Sequence, residues 1–248
     1  NRKNRTMKDK PITIAVVDSG VNVPHPHLPG VKGGISFDTE GHEQEDFTDL
    51  LGHGTAVTSA IYEKAPHALI FAVKVFDEQL VTSVPTLVRA LDWASGHDIR
   101  LVNLSLGTPN EIRAYDLAPA VEQAVESGTI IVSARANEEQ FWYPGCMEGV
   151  LGVVLDWEHP RESVSVIKVK ESLSESSKES STRVTSASGY PRPIPGIPTR
   201  RNINGISFAV ANTTGVLAAL LIDRPDVRTA EAALDVLSEG STSTRADP

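Results

Sequence analysis

Cysteine is almost missing from this chain. Cys146 is alone among 248 residues, which excludes an internal disulfide. A disulfide-free chain of this size suits the cytosol and many bacterial extracellular settings alike. Aromatic residues are scarce too, at 5%, so Val, Leu, Ile and Ala must fill the core. Positive charge is in deficit. The formal net charge is −9, the wrong sign for a nucleic-acid or anionic-membrane partner. No apolar run is long enough for a membrane span or for the core of a signal peptide. Internal repeats are absent. His25, His27, His42, His67, His97 and His159 fall at no metal-ligand spacing, so no metal is expected. The carboxylates grouped at Glu45, Asp46 and Asp49 are the alternative, should a cation bind.

What is present is a globular pattern. Hydrophobic residues make up 40%, enough for a sizeable core, and the length suits one α/β domain. Pro11–Val17, Ala68–Phe76, Ile99–Leu106, Thr129–Ala134 and Gly149–Leu155 are near-continuous in Val, Ile and Leu. Strands buried on both faces read this way. Between them lie helical patterns. Val84, Leu87, Val88, Leu91 and Ala94 recur at helical spacing behind Ser83, an N-cap residue. Leu117, Val121, Ala124 and Val125 do so before Gly128, a helix stop. His53–Lys64, Ser207–Ile222 and Thr229–Leu237 complete the set. This alternation predicts a three-layer α/β fold: a mostly parallel central sheet with helices on both faces. The chemistry of such sheets gathers at the carboxyl ends of strands.

The domain is expected over residues 11–240. A basic extension (1–10) precedes it and a polar tail (241–248) follows. Residues 171–182, rich in Ser, Glu and Lys, are expected to form a mobile surface loop between two strand-like segments, Val164–Lys170 and Arg183–Ala187. Tyr190–Pro198 reads as an irregular crossing.

Three strings carry the chemistry: AVVDSG around Asp18, LGHGTAV around His53 and NGISFAVA around Ser207. Singly, each has an ordinary explanation, a turn Asp or a helix-capping Ser. Jointly they supply a hydroxyl nucleophile, an imidazole base and a carboxylate to orient it. The order Asp, His, Ser is one of the recurring serial orders of the serine-protease triad.

With these flanks the chain resembles the subtilisin-like serine peptidases, from about Ile12 to about Leu221. The resemblance implies a catalytic triad of Asp18, His53 and Ser207 and needs no cofactor. It places Asn137, in VSARANE, as the oxyanion donor, together with the Ser207 N–H. Such a side-chain amide is worth about 10²–10³ in rate, a magnitude established on subtilisin. Ser105, Leu106 and Gly107, in NLSLG, would line an extended peptide or protein substrate by strand addition, with Ala134 on the same substrate-binding edge. Trp142, just before Tyr143-Pro144-Gly145, would sit at the base of the pocket for the side chain preceding the scissile bond. Tyr143–Pro144 would be cis.

Several positions depart from the family pattern. Ile206, Phe208 and Ala211 replace Thr, Met and Pro of the serine motif. Ala56 replaces a second His after His53, and Arg135-Ala136 precede Asn137 where the family has Ala-Gly. Lys64 runs straight into Ala65-Pro66, without the calcium-binding insertion of many secreted members. With no long pro-segment before Asp18, the expected location is the cytoplasm, with a removed leader as the alternative. The expected activity is serine endopeptidase, working through an acyl-enzyme on Ser207 in the maturation of a specific peptide or protein. Two rivals stay open. One is a transpeptidase or macrocyclase using the same triad. The other is a pseudoprotease that binds an extended peptide, favoured by Ile206.

Overall fold

The computed structural model describes residues 11–137, 140–170 and 181–243, the side chains of 136, 137, 170 and 241–243 excepted. The extension at 1–10 lies outside the described residues, as do positions 171–180 of the expected loop and 244–248 of the tail. The strands are β1 (Thr13–Asp18), β2 (Gly33–Phe37), β3 (Glu43–Gln44), β4 (Leu69–Lys74), β5 (Leu101–Leu104), β6 (Ile130–Asn137), β7 (Gln140–Phe141), β8 (Leu151–Leu155), β9 (Val164–Lys170) and β10 (Ser181–Ala187). The helices are α1 (His53–Lys64), α2 (Val84–Gly96), α3 (Glu111–Glu126), α4 (Ile206–Leu220) and α5 (Ala230–Ser243).

One sheet runs β3-β2-β4-β1-β5-β6-β8-β10-β9, with β7 paired to β6. From β2 to β10 every neighbouring pair is parallel. Only β3, β7 and β9 pair antiparallel. Alternate residues of β1 feed two cores. Ile14 and Val16 pack with α1, α4 and α5, whereas Ala15 and Val17 pack with α2 and α3. This is the expected three-layer arrangement. After β4 the chain crosses through α2 to β5, on the other side of β1. The strand order therefore reverses at β1, and ligand sites of open α/β sheets lie at such switch points.

Differences from the sequence reading are local. β2, β3 and β7 were not expected; two are two-residue edge pieces, and β2 opens with two glycines. α3 begins before Leu117, capped by the Asn110 side chain, which accepts from Ile112 N at 3.0 Å. Its first turns expose Ile112 and Tyr115, so no apolar face marks them. α5 runs three residues into the expected tail, and β10 takes Ser181 and Thr182 from the expected loop. Ser83 caps α2 as expected, accepting from Thr86 N. Tyr143–Pro144 is cis. Among the described residues no helix is long and apolar enough to cross a membrane, and no cluster of His, Cys, Asp or Glu could hold a metal ion.

Candidate active site

Asp18 ends β1 at the switch point and is wholly buried. His53 opens α1 and is 8% exposed. Its Nδ1 lies 2.6 Å from Asp18 Oδ1. A carboxylate can only accept, so Nδ1 carries the proton and Nε2 keeps a free lone pair. The close packing behind this contact requires glycine at position 54. A Cβ there would fall 2.2 Å from Gly20 O and 3.2 Å from Asp18 Cβ. The Phe208 ring, fully buried, stands 5.9 Å from the imidazole centroid and walls its other side.

Asp18 Oδ1 also accepts from Ser19 N at 2.8 Å. The Ser19 hydroxyl donates to Asp49 Oδ1 at 2.8 Å and accepts from Gly54 N at 2.9 Å. Asp49 is the hub that sequence reasoning missed. Oδ1 further accepts from Leu51 N and Gly52 N. Oδ2 accepts from Thr55 N at 2.8 Å and Thr55 Oγ1 at 2.6 Å. One buried carboxylate thus organises the loop that delivers His53 and the first turn of α1. It is a fold-building acceptor set. The only sequence signal was an acidic residue four positions before His53.

Ser207 lies in the first turn of α4, after Gly205 at φ 147°, a conformation that favours glycine. Its N–H is one of the helix's unpaired first-turn donors, and the helix N-terminus favours negative charge there. The hydroxyl donates to Ser105 O at 3.2 Å. Asn103, buried in β5, donates to Ser105 Oγ at 2.7 Å and accepts from Thr214 Oγ1 of α4 at 2.9 Å. This ties the end of β5 to the serine helix. His53 and Ser207 line one open cleft together with Leu80, Leu155, Trp157 and Ile203.

The expected substrate edge is only partly as anticipated. Ser105, Leu106 and Gly107 continue beyond the end of β5 rather than within it. Thr108 and Tyr143 exchange backbone hydrogen bonds at 2.9 Å, which joins this segment to Trp142. The Trp142 indole stands beside Gly107: a Cβ built on Gly107 would lie 3.3 Å from it. Trp142 packs with none of the three core clusters. Ala134 was expected on the same edge. Its methyl is buried in the core on the α4 side of the sheet, because its place in β6 turns it there, so only its backbone can line an edge. Asn137 ends β6, but its side chain lies outside the described residues.

Burial disfavours the imidazolium of His53. The Asp18 hydrogen bond and charge, with a smaller share from Asp49, outweigh it and raise the His53 pKa above its ordinary 6.5. A base must be neutral to work. Activity through His53 is therefore expected to fall on the acid side with a kcat/KM midpoint above pH 6.5. A pH profile with a midpoint below that value would contradict this electrostatic account. The Cys146 thiol is pushed up by burial and donates to Arg135 O at 3.0 Å, which leaves little of it as the reactive thiolate.

A model of the subtilase family matches residues 9–239. The chain belongs to the subtilase family. It is 29% identical to Subtilisin NAT of Bacillus subtilis subsp. natto over 86% of this chain and 56% of that protein. It is 27% identical to the major intracellular serine protease of Bacillus subtilis (strain 168), over 86% of this chain and 69% of the relative. It thus spans little more than half the length of the former. Among solved structures, a cold-adapted subtilisin-like serine proteinase superposes with TM-score 0.67 at 22% identity, over 92% of this chain and 81% of the other. A lanthipeptide protease gives 0.66 at 15%, over 90% and 78%. Both share the fold. The departures of this subtilase from the family's serine motif have packing reasons. Ile206 packs against the α4-side core, and Ala211 is buried within it. Phe208 is the wall behind His53.

Proposed function

We propose that this subtilase is a serine endopeptidase with Ser207 as nucleophile, His53 as general base and Asp18 as the group that orients the imidazole. One observation carries the reading: the buried 2.6 Å contact between His53 Nδ1 and Asp18 Oδ1, beside a cleft that His53 and Ser207 both line. Asp18 fixes the tautomer and stabilises the cation that forms. Turnover needs the Ser207 hydroxyl to rotate from Ser105 O toward His53 Nε2. Ser207 Oγ then bonds the substrate carbonyl carbon as its proton passes to Nε2. The C–N bond breaks, and His53 returns that proton to the leaving amine. Water, deprotonated by His53, releases the acyl group as a carboxylic acid and regenerates Ser207. The Ser207 N–H and Asn137 are assigned to the oxyanion.

A fluorophosphonate probe tests this. The expected result is one covalent adduct, mapped by mass spectrometry to the peptide carrying Ser207 and absent from Ser207→Ala. No adduct on the folded wild type would favour a peptide-binding pseudoprotease instead.

Trp142 limits what the enzyme accepts. An indole beside Gly107 occupies the space a large side chain would need before the scissile bond. A preference for Ala, Gly or Ser over Phe, Leu or Lys is expected there. A pocket so restricted suits cleavage at chosen sites in a precursor rather than general digestion. Trp142→Gly is expected to admit larger residues by about tenfold or more in kcat/KM. A wild-type peptide-library profile favouring Phe or Leu would refute this, as would an unchanged profile in the variant.

A further inference from the structure

A second hollow, of about 490 Å³, opens beside the catalytic cleft. Its volume is that of a ligand pocket, ample for one aromatic side chain. Two loops wall it: one after β1, at residues 22–27, and one before α4, at 191–203, with the first turns of α1 as its floor. It adjoins the cleft. Ile203 lines both, and Gly52 on its wall immediately precedes His53. It shares no residue with the segment Ser105–Gly107 or with Trp142: that edge continues from the end of β5, whereas the hollow is built on the loop after β1 and the start of α1.

The lining is mostly apolar, and several of its polar groups are engaged elsewhere. Asn22 exchanges hydrogen bonds with the Asp49 backbone, donating from Nδ2 to Asp49 O at 2.8 Å and accepting from Asp49 N at 3.3 Å. Thr55 Oγ1 donates to Asp49 Oδ2, and Ser59 Oγ to Thr55 O. Arg192, also in the lining, donates from Nη1 to His27 O at 3.0 Å. A guest meets the apolar surface of Pro26, Ala56, Pro191, Ile194 and Ile203, with the His25 and His27 imidazoles and Asn202 beside it. Ile194 is 39% exposed and Ile203 44%.

We infer that this hollow receives an uncharged apolar side chain, aromatic or branched, from the leaving-group half of the peptide substrate. The inference rests on the peptidase reading above. There the acyl half lies along Ser105–Gly107, and His53 hands its proton to the departing amine. The departing chain then passes His53, beside which the hollow opens. Ile194 and Ile203 select the side chain by contact. The Arg192 cation in the lining disfavours Lys and Arg.

The test is a peptide library digested by the purified protein, with cleavage sites read by mass spectrometry. Wild type is expected to enrich Phe, Leu or Ile at one of the first few positions after the scissile bond and to deplete Lys and Arg there. Ile194→Asp is expected to reduce that enrichment at least fivefold while the profile before the scissile bond stays as it was. Ile194→Val is expected to keep it. A wild-type profile without apolar enrichment on the leaving-group side overturns the inference, and this holds even if the Asp variant fails to fold. So does an Ile194→Asp variant whose two half-profiles change together or not at all. Failure of the peptidase reading looks different: no peptide is cut, and no fluorophosphonate adduct forms on Ser207.

Discussion

Ser207→Ala and His53→Ala are each expected to reduce turnover by about 10⁶-fold, the size seen when subtilisin loses either residue of its own triad. The double variant is expected to be hardly worse than either single one. The geometry is the reason. His53 is useful only with a hydroxyl to deprotonate, and that hydroxyl is a poor nucleophile without His53. Two residues that act as one unit cannot add their losses. Single-turnover rates for the three variants, each with a melting curve to show that it is folded, decide the matter. Full activity in Ser207→Ala would remove the assignment. Losses that multiply in the double variant would mean the two residues act separately.

The second large effect is expected at Asp49, outside the reacting set. Asp49→Ala strips the acceptors from the N–H groups of Leu51, Gly52 and Thr55 and from two hydroxyls. Groups left without partners in a buried site make this a loss of about 3–5 kcal/mol of stability. His53 is the next residue after that loop, and a displacement of about 1 Å at a catalytic group costs on the order of 10²-fold in rate. Asp49→Asn is the sharper variant. It keeps the shape and one good acceptor, yet its amide must turn a donor toward either the Thr55 N–H or the N–H groups of Leu51 and Gly52. It also removes a charge that raises the His53 pKa, so the acid limb of kcat/KM is expected to move to lower pH. Thermal melts and pH profiles of both variants test this. An Asp49→Ala protein with wild-type melting and turnover would show that the hub is dispensable.

The central strands were legible in the sequence for a simple reason. Strands buried on both faces need unbroken runs of Val, Ile and Leu, and such runs are visible without knowing any partner. The triad was legible because its flanks are local requirements. Gly54 lets α1 approach Gly20, and Gly205 takes the positive φ before Ser207. The edge pieces β2, β3 and β7 were not legible, since they are short and are strands only because a neighbour pairs with them. The start of α3 was hidden because its Ile112 and Tyr115 face solvent, where periodicity says nothing. Ala134 was placed on the substrate edge by the family pattern, and the pleat of β6 turned its methyl into the core.

By itself, then, the sequence determined the alternation of strand and helix, the layer architecture, and the order and local backbone of Asp18, His53 and Ser207. Tertiary structure decided who supports them. Ser19 meets Asp49 across 30 positions, and Asn103 meets Thr214 across 111. It also decided that Phe208 walls His53, that Trp142 stands beside Gly107, and that Ile194 and Ile203 border a hollow next to the cleft. Hydrogen-bond partners and cavity walls arise from chain segments brought together by burial of the whole core. Periodicity and short motifs report only on a residue's own neighbourhood along the chain.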